Sequence, residues 1–241
     1  MNFPISEKYI YFDSARSGGM CLDLLSWREK HDNLFLHMGS QFRLNNDDFI
    51  DNVRNGVGNF FNCNENYIFL TNSFSIGFNS LLSILNPNFK FLLIKNDYPS
   101  IIDQVKSNRF KHDFVENTFD LEEKILKKIE KYKPQVLALS IVQYLNGVYI
   151  DLDFFKKIKK KFPKLLIIAD GTQFCGTKLF DFDNSAIDIL ISSGYKWLFS
   201  GYGNGFILIK KNFIKDFINK NYNTNIEEFL YGTFEPGNLD T

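Results

Sequence analysis

Histidine and cysteine are scarce in this chain, and each scarcity closes off a class of chemistry. Three His residues (His31, His37, His112) do not make a histidine-rich metal centre, so no metal site is expected. Three Cys residues (Cys21, Cys63, Cys175) at irregular spacing form neither a disulfide framework nor a zinc site, and fit a reducing compartment such as the cytoplasm. Neither charge is in excess: 28 Lys and Arg stand against 28 Asp and Glu, so no overall field draws the protein to nucleic acid or membrane. No apolar run is long enough to span a bilayer. The N-terminus MNFPISEKYIYFD is polar and has no apolar h-region, so no signal peptide is expected. No Gly-x-Gly-x-x-Gly turn follows an early strand, which ranks a nucleotide-binding Rossmann domain low. The 241 residues can bury the core of one large domain, or of a large one plus a partial second.

What is present is alternation. Helical spacing predicts helices over Leu22 to Met38 and Asp47 to Phe61, the second with Val53, Val57 and Phe60 on a core face. Strand signals follow at Tyr67 to Leu70, Phe91 to Lys95, Val136 to Ser140, Leu165 to Ala169, Ile187 to Ile191 and Gly205 to Ile209. Between them lie helices ending near Leu85, over Leu121 to Tyr132, over Asp151 to Phe162 and over Asn212 to Asn219, with a surface loop to Asn225. The Lys residues 156, 157 and 159 to 161 fall mostly on an outer helix face. They lack interleaved aromatics and read as solvated rather than as a nucleic-acid patch. Strands alternating with helices predict an α/β fold, a mostly parallel sheet with helices on both faces.

The chain is organised around Ile187 to Gly205, IDILISSGYKWLFSGYGNG. Lys196 stands between Tyr195 and Trp197, just past a buried strand. Desolvation there disfavours the ammonium and makes an amine able to form a Schiff base; the alternative is a Lys snorkelling from a strand end. A second apolar run, Leu165 to Ala169, leads straight into Asp170. Ligands of open α/β sheets bind outside the carboxyl ends of strands, where both residues stand. A buried carboxylate needs a cationic neighbour, and a pyridinium nitrogen is one; the alternative is an ordinary helix cap.

Asp170-Gly171-Thr172-Gln173, Ser193-Gly194-Tyr195-Lys196 and Gly201-Tyr202-Gly203-Asn204-Gly205, in this order and spacing, resemble the class V aminotransferases. These are pyridoxal-phosphate enzymes of fold type I, among them cysteine desulfurases, selenocysteine lyases, kynureninases and isopenicillin-epimerase-like proteins. The resemblance runs from Tyr11-Phe12-Asp13-Ser14-Ala15 to Phe234-Glu235-Pro236-Gly237. It implies a fold type I large domain over residues 21–233, preceded by a substrate-loop segment of the small domain at 1–20. The start of a C-terminal small domain, otherwise absent, would fall at 234–241. It makes Gly205 to Ile209 the antiparallel strand. It implies pyridoxal 5'-phosphate as cofactor, with Lys196 and Asp170 as catalytic residues.

The other cofactor contacts are likewise implied by the resemblance. Ser73 and Phe74 would give backbone donors, and Ser75 a hydroxyl, to the phosphate. The residues alone also allow a simple N-cap there. Tyr98 would stack on the pyridine, where desulfurases carry His. Tyr144 and Gln173 would reach the phenolic oxygen. Ser193 and Tyr195 would reach the phosphate from the lysine side, and Asn238 from the neighbouring subunit of a homodimer whose active site lies near the interface. Arg16, in a Gly/Ser loop, would grip a carboxylate or simply be solvated. The expected function is an enzyme acting on an amino acid through a Lys Schiff base, of transaminase, lyase or epimerase type. The alternatives are an incomplete fragment or non-catalytic partner subunit, and, ranked lower, a cysteine desulfurase or selenocysteine lyase.

Overall fold

In the computed structural model, residues 2–63, 67–212, 214 and 226–236 are described. Seven strands form one sheet: β1 (Tyr67–Thr71), β2 (Lys90–Ile94), β3 (Lys111–Val115), β4 (Val136–Ser140), β5 (Leu166–Asp170), β6 (Ile189–Ser193) and β7 (Gly205–Ile209). Their spatial order is β1-β7-β6-β5-β4-β2-β3. Only β7 runs against its neighbours, pairing antiparallel with both β1 and β6. The carboxyl ends of β1, β2, β4, β5 and β6 therefore share one edge of the sheet.

The helices are α1 (Ile5–Lys8), α2 (Leu22–Met38), α3 (Asn46–Phe61), α4 (Phe74–Ile84), α5 (Pro99–Ser107), α6 (Leu121–Tyr132), α7 (Leu152–Lys161) and α8 (Ile226–Phe234), with a 3-10 turn at Gly39–Asn45. Strand residues alternate between two cores, as the two-residue repeat of a strand requires. Leu137, Leu139, Ile167, Ala169 and Leu190 meet Phe61 of α3, Ile125 of α6 and Phe155 of α7 on one face. Ala138, Ile168, Ile189, Ile191 and Ile207 meet Phe78 of α4, Val105 of α5 and Phe234 of α8 on the other. Gly77 lets α4 lie against the sheet: a Cβ there would stand 3.0 Å from Ile207 Cδ1 and 3.2 Å from Ile191 Cγ2.

Three expectations need correction. Of the proposed core face of α3, Val53 and Phe60 are exposed, while Phe61 is buried. The spacing was helical, but the stripe that meets the sheet is turned toward Ile50, Val57 and Phe61. Helix α2 begins and ends as expected yet buries none of its residues: Trp27 stacks on Phe49 of α3 and Phe35 meets Phe42 of the 3-10 turn, but these contacts leave its apolar side chains largely exposed. Pro99 opens a nine-residue helix rather than only a turn, as its fixed φ suits the first helical position. Strand β3, KHDFV, carries no apolar run because it is an edge strand. The expected helix at 212–219, the loop after it and Asn238 lie largely or wholly outside the described residues.

Two partly buried ion pairs fasten the periphery. Glu235 accepts from Arg54 Nη2 at 2.6 Å and from the Leu70 amide at 2.7 Å, tying the end of α8 to α3 and β1. Asp188 accepts from Lys159 Nζ and the Ile167 amide, both at 2.8 Å, tying α7 to the sheet. No described helix is long and apolar enough to cross a membrane.

Candidate active site

Five strand tips converge on one cavity. Ser73, Phe74 and Ser75 reach it from the β1 tip, Tyr98 from β2, and Ser140, Val142 and Tyr144 from β4. Asp170, Thr172 and Gln173 come from β5, and Ser193, Tyr195 and Lys196 from β6. Ten of the eleven residues singled out in the sequence thus line a single space; the eleventh, Asn238, lies outside the described residues. Ser140, Val142 and Thr172 were not singled out. Thr172 follows the Asp170 strand tip by two residues, the spacing at which a carboxylate caps its own turn.

Asp170 is 6% exposed, and its Oδ1 accepts from the Thr172 amide at 2.8 Å. Burial pushes its carboxyl up from 3.8 to about 7, against the pull of the Thr172 hydrogen bonds. The charge of Asp97 adds to the rise and that of Lys196 opposes it. Lys196 is half-buried, and burial lowers its ammonium, with Asp170 partly offsetting the effect. Among the described residues its Nζ has no hydrogen-bond acceptor and no ion pair; the Tyr195 ring centroid stands 5.6 Å away. Thr172 also links the two strand tips, since its Oγ1 accepts from the Ser193 amide at 3.1 Å.

At the other end of the cavity, Ser73 caps α4, its hydroxyl accepting from the Ile76 amide at 3.3 Å. The Phe74 amide is already committed, donating to Ser193 Oγ at 2.8 Å. That leaves the Ser75 amide as a first-turn donor without a protein acceptor among the described residues, beside three serine hydroxyls at the positive end of the helix. Ser75 Oγ is held by Ser100 Oγ at 2.8 Å. The walls between the two ends are aromatic: Tyr98 makes an edge contact with Tyr144 (centroids 6.0 Å) and Tyr195 stacks on Tyr202 (5.2 Å).

The N-terminal segment closes on this site. Gly18 donates from its amide to the Tyr195 carbonyl at 2.8 Å, and a Cβ at Gly18 would be driven into the Lys196 carbonyl oxygen. Gln173 Nε2 donates to the Ala15 carbonyl at 2.8 Å, while its Oε1 accepts from Trp197 Nε1 at 3.0 Å. One amide hydrogen of Gln173 is therefore used to hold the segment. Arg16 is exposed.

A largely parallel seven-stranded sheet with one antiparallel strand, clad by helices on both faces, is the architecture of the fold type I pyridoxal-phosphate enzymes. Residues 29–230 match the family Aminotransferase class-V, and the chain belongs to that family of pyridoxal-phosphate enzymes. A putative cysteine desulfurase of Plasmodium berghei (strain Anka) is 25% identical over 96% of this chain and 46% of its own length. The fold superposes on a cystine C-S lyase, C-DES, solved with its reaction product cysteine persulfide, with a TM-score of 0.82 at 20% identity. That match covers 92% of this chain and 62% of the lyase. The apo cysteine desulfurase of Thermococcus onnurineus NA1 gives a TM-score of 0.73 at 19% identity, covering 90% and 57%. The chain thus spans about half to three-fifths of the length of these proteins.

Proposed function

We propose that this chain is the cofactor-binding large domain of a pyridoxal-phosphate enzyme acting at the α carbon of a small amino acid. The observation that carries the reading is a pair of unmatched groups in one cavity. Among the described residues the Lys196 amine has no acceptor, and burial pushes the Asp170 carboxyl to about 7. The donor set suits the group from end to end. Ser75, with the hydroxyls of Ser73 and Ser193, offers hydrogen bonds to a phosphate at the α4 N-terminus. Tyr98 offers a ring face, and Tyr144, Gln173 and Tyr195 offer polar hydrogens along the wall. When bound, pyridoxal phosphate supplies an aldehyde for an amine and an electron-poor ring that takes up charge from the substrate's α carbon. With the group bound, Asp170 would hold a proton at the ring nitrogen, and the Lys196 amine would take the α proton of the substrate and return it.

The names of the relatives support a sulfur-containing amino acid as substrate. Cys63 and Cys175 are buried, with thiols pushed to about 12 by burial, and Cys21 is buried too. The cystine C-S lyase among the similar structures supports a lyase reaction on such a substrate. In that reaction Lys196 would take the α proton, and the electrons of that C–H bond would form a double bond between the α and β carbons. Sulfur would leave as a thiolate with the electron pair of its bond to the β carbon. The exposed Leu25, Trp27, Leu34 and Phe35 of α2 support a second copy of the chain as partner.

Adding pyridoxal phosphate to the cofactor-free protein should produce a visible absorbance band that Lys196→Ala abolishes, with unchanged far-UV circular dichroism. A band of equal strength in the variant would overturn the reading, and a wild type that gains no band would make the chain a non-catalytic relative.

A further inference from the structure

Asp97 is a buried carboxylate at the same strand tips, and none of the roles above uses it. It lies three residues past the end of β2 and is 1% exposed. Its Oδ1 accepts from the Tyr98 amide at 2.7 Å and from Ser140 Oγ at 2.6 Å. Its Oδ2 accepts from the Ser140 amide at 2.8 Å and from Gln143 Nε2 at 3.3 Å. Gln143 is itself fixed, taking a hydrogen bond from Asn117 Nδ2 at 3.0 Å and giving one to the Ser140 carbonyl at 2.9 Å. The sheet order β5-β4-β2 and the register Ser140↔Asp170 put Asp97, Ser140 and Asp170 at three consecutive strand tips. Burial raises the Asp97 carboxyl, but four donors converging on it pull toward the charged form, whereas Asp170 is bonded by Thr172 alone, and the charge of Asp97 adds to the rise at Asp170.

We propose that Asp97 is a positioning residue, a fixed negative charge seated on the strand beside Asp170. Its charge adds to the effect of burial in making Asp170 favour a proton or a cationic ring nitrogen, and it anchors Tyr98 on the cavity wall. The ring-nitrogen half of this rests on the reading of the cavity as a pyridoxal-phosphate site; the proton half does not. The titratable groups facing Asp170 are Asp97, Lys196, Tyr195 and Cys175. Asp97 is met by the Tyr98 amide, Ser140 and Gln143, with Asp170 across β4.

The test is a carbonyl carbon-13 NMR titration of the cofactor-free protein labelled at aspartate. In the wild type Asp97 should ionise at lower pH than Asp170, the two behaving as a coupled pair. In Asp97→Asn, which keeps the shape and removes the charge, the Asp170 midpoint should fall by roughly one pH unit. Pyridoxal-phosphate affinity should weaken with it by roughly tenfold, one pH unit being a factor of ten. An unmoved Asp170 midpoint in a folded variant would overturn the proposal. So would a wild type in which Asp97 stays protonated after Asp170 has ionised, a result that needs no variant to fold. The titration uses no cofactor, so it can fail while the Lys196-dependent band survives, and the reverse.

Discussion

Asp170→Asn should make the cofactor-free protein more stable at neutral pH while disabling its site. The carboxyl rises from 3.8 to about 7 on folding, chiefly through burial. Over that interval the native state holds a proton that the unfolded chain has released. The contribution is therefore fully present below about 4, fades as pH rises through about 7, and is gone above it. The interval corresponds to at most roughly 4 kcal/mol, at about 1.4 kcal/mol per pH unit. Asparagine has the same outline, can still accept from the Thr172 amide, and carries no charge to desolvate. Urea unfolding of both proteins without cofactor should give similar stabilities near pH 4. By about pH 8 the variant should lead by roughly 2–4 kcal/mol. Asp97 and Asp188 are also raised by burial, so the wild-type curve alone is not diagnostic; the difference between the two curves is. Pyridoxal phosphate should then restore the wild type more than the variant. Curves that stay parallel across the whole range would show that Asp170 carries no such desolvation cost.

Two further outcomes follow from the geometry. Gly18→Ala should push the N-terminal segment off the Lys196 loop, because its Cβ meets the Lys196 carbonyl oxygen. Overpacking of this kind costs about 1–3 kcal/mol, so proteolysis within residues 9–20 should speed up roughly tenfold. Gly19→Ala, whose Cβ meets only side chains of Phe3 and Ile5, should change it little. Equal rates in the two variants would separate the segment from the loop. Cys21, Cys63 and Cys175 should react with a thiol reagent only on unfolding, since all three are buried and the thiols of Cys63 and Cys175 stand at about 12. A thiol that reacts rapidly in the native protein would reopen the question of a sulfur acceptor within this domain.

Local pattern sufficed wherever a residue's surroundings were its own neighbours in the chain. Helices over Leu22–Met38 and Leu121–Tyr132 and strands over Val136–Ser140 and Gly205–Ile209 were legible to the residue, because periodicity and flanking turns are local properties. So was the unusual placing of Lys196 and Asp170, each at the end of an apolar run. Asp97 follows a strand in the same way but was passed over, since its four donors come from Tyr98, Ser140 and Gln143, two of them more than 40 residues away. The sequence named Phe74 as a backbone donor; its amide is spent on Ser193, a partner 119 residues distant.

By itself, then, the order of amino acids determined the α/β class, the family and the placing of Lys196 and Asp170 at strand ends, all of which depend on short-range periodicity and motif spacing. Only the tertiary structure decided which side of α3 is core, that α2 buries none of its residues, that Gln173 clasps Ala15, and that Asp97 sits beside Asp170. Each of these is set by which strand lies next to which, and hydrophobic burial is non-directional along the chain. A sheet ordered β1-β7-β6-β5-β4-β2-β3 joins residues that no local pattern links.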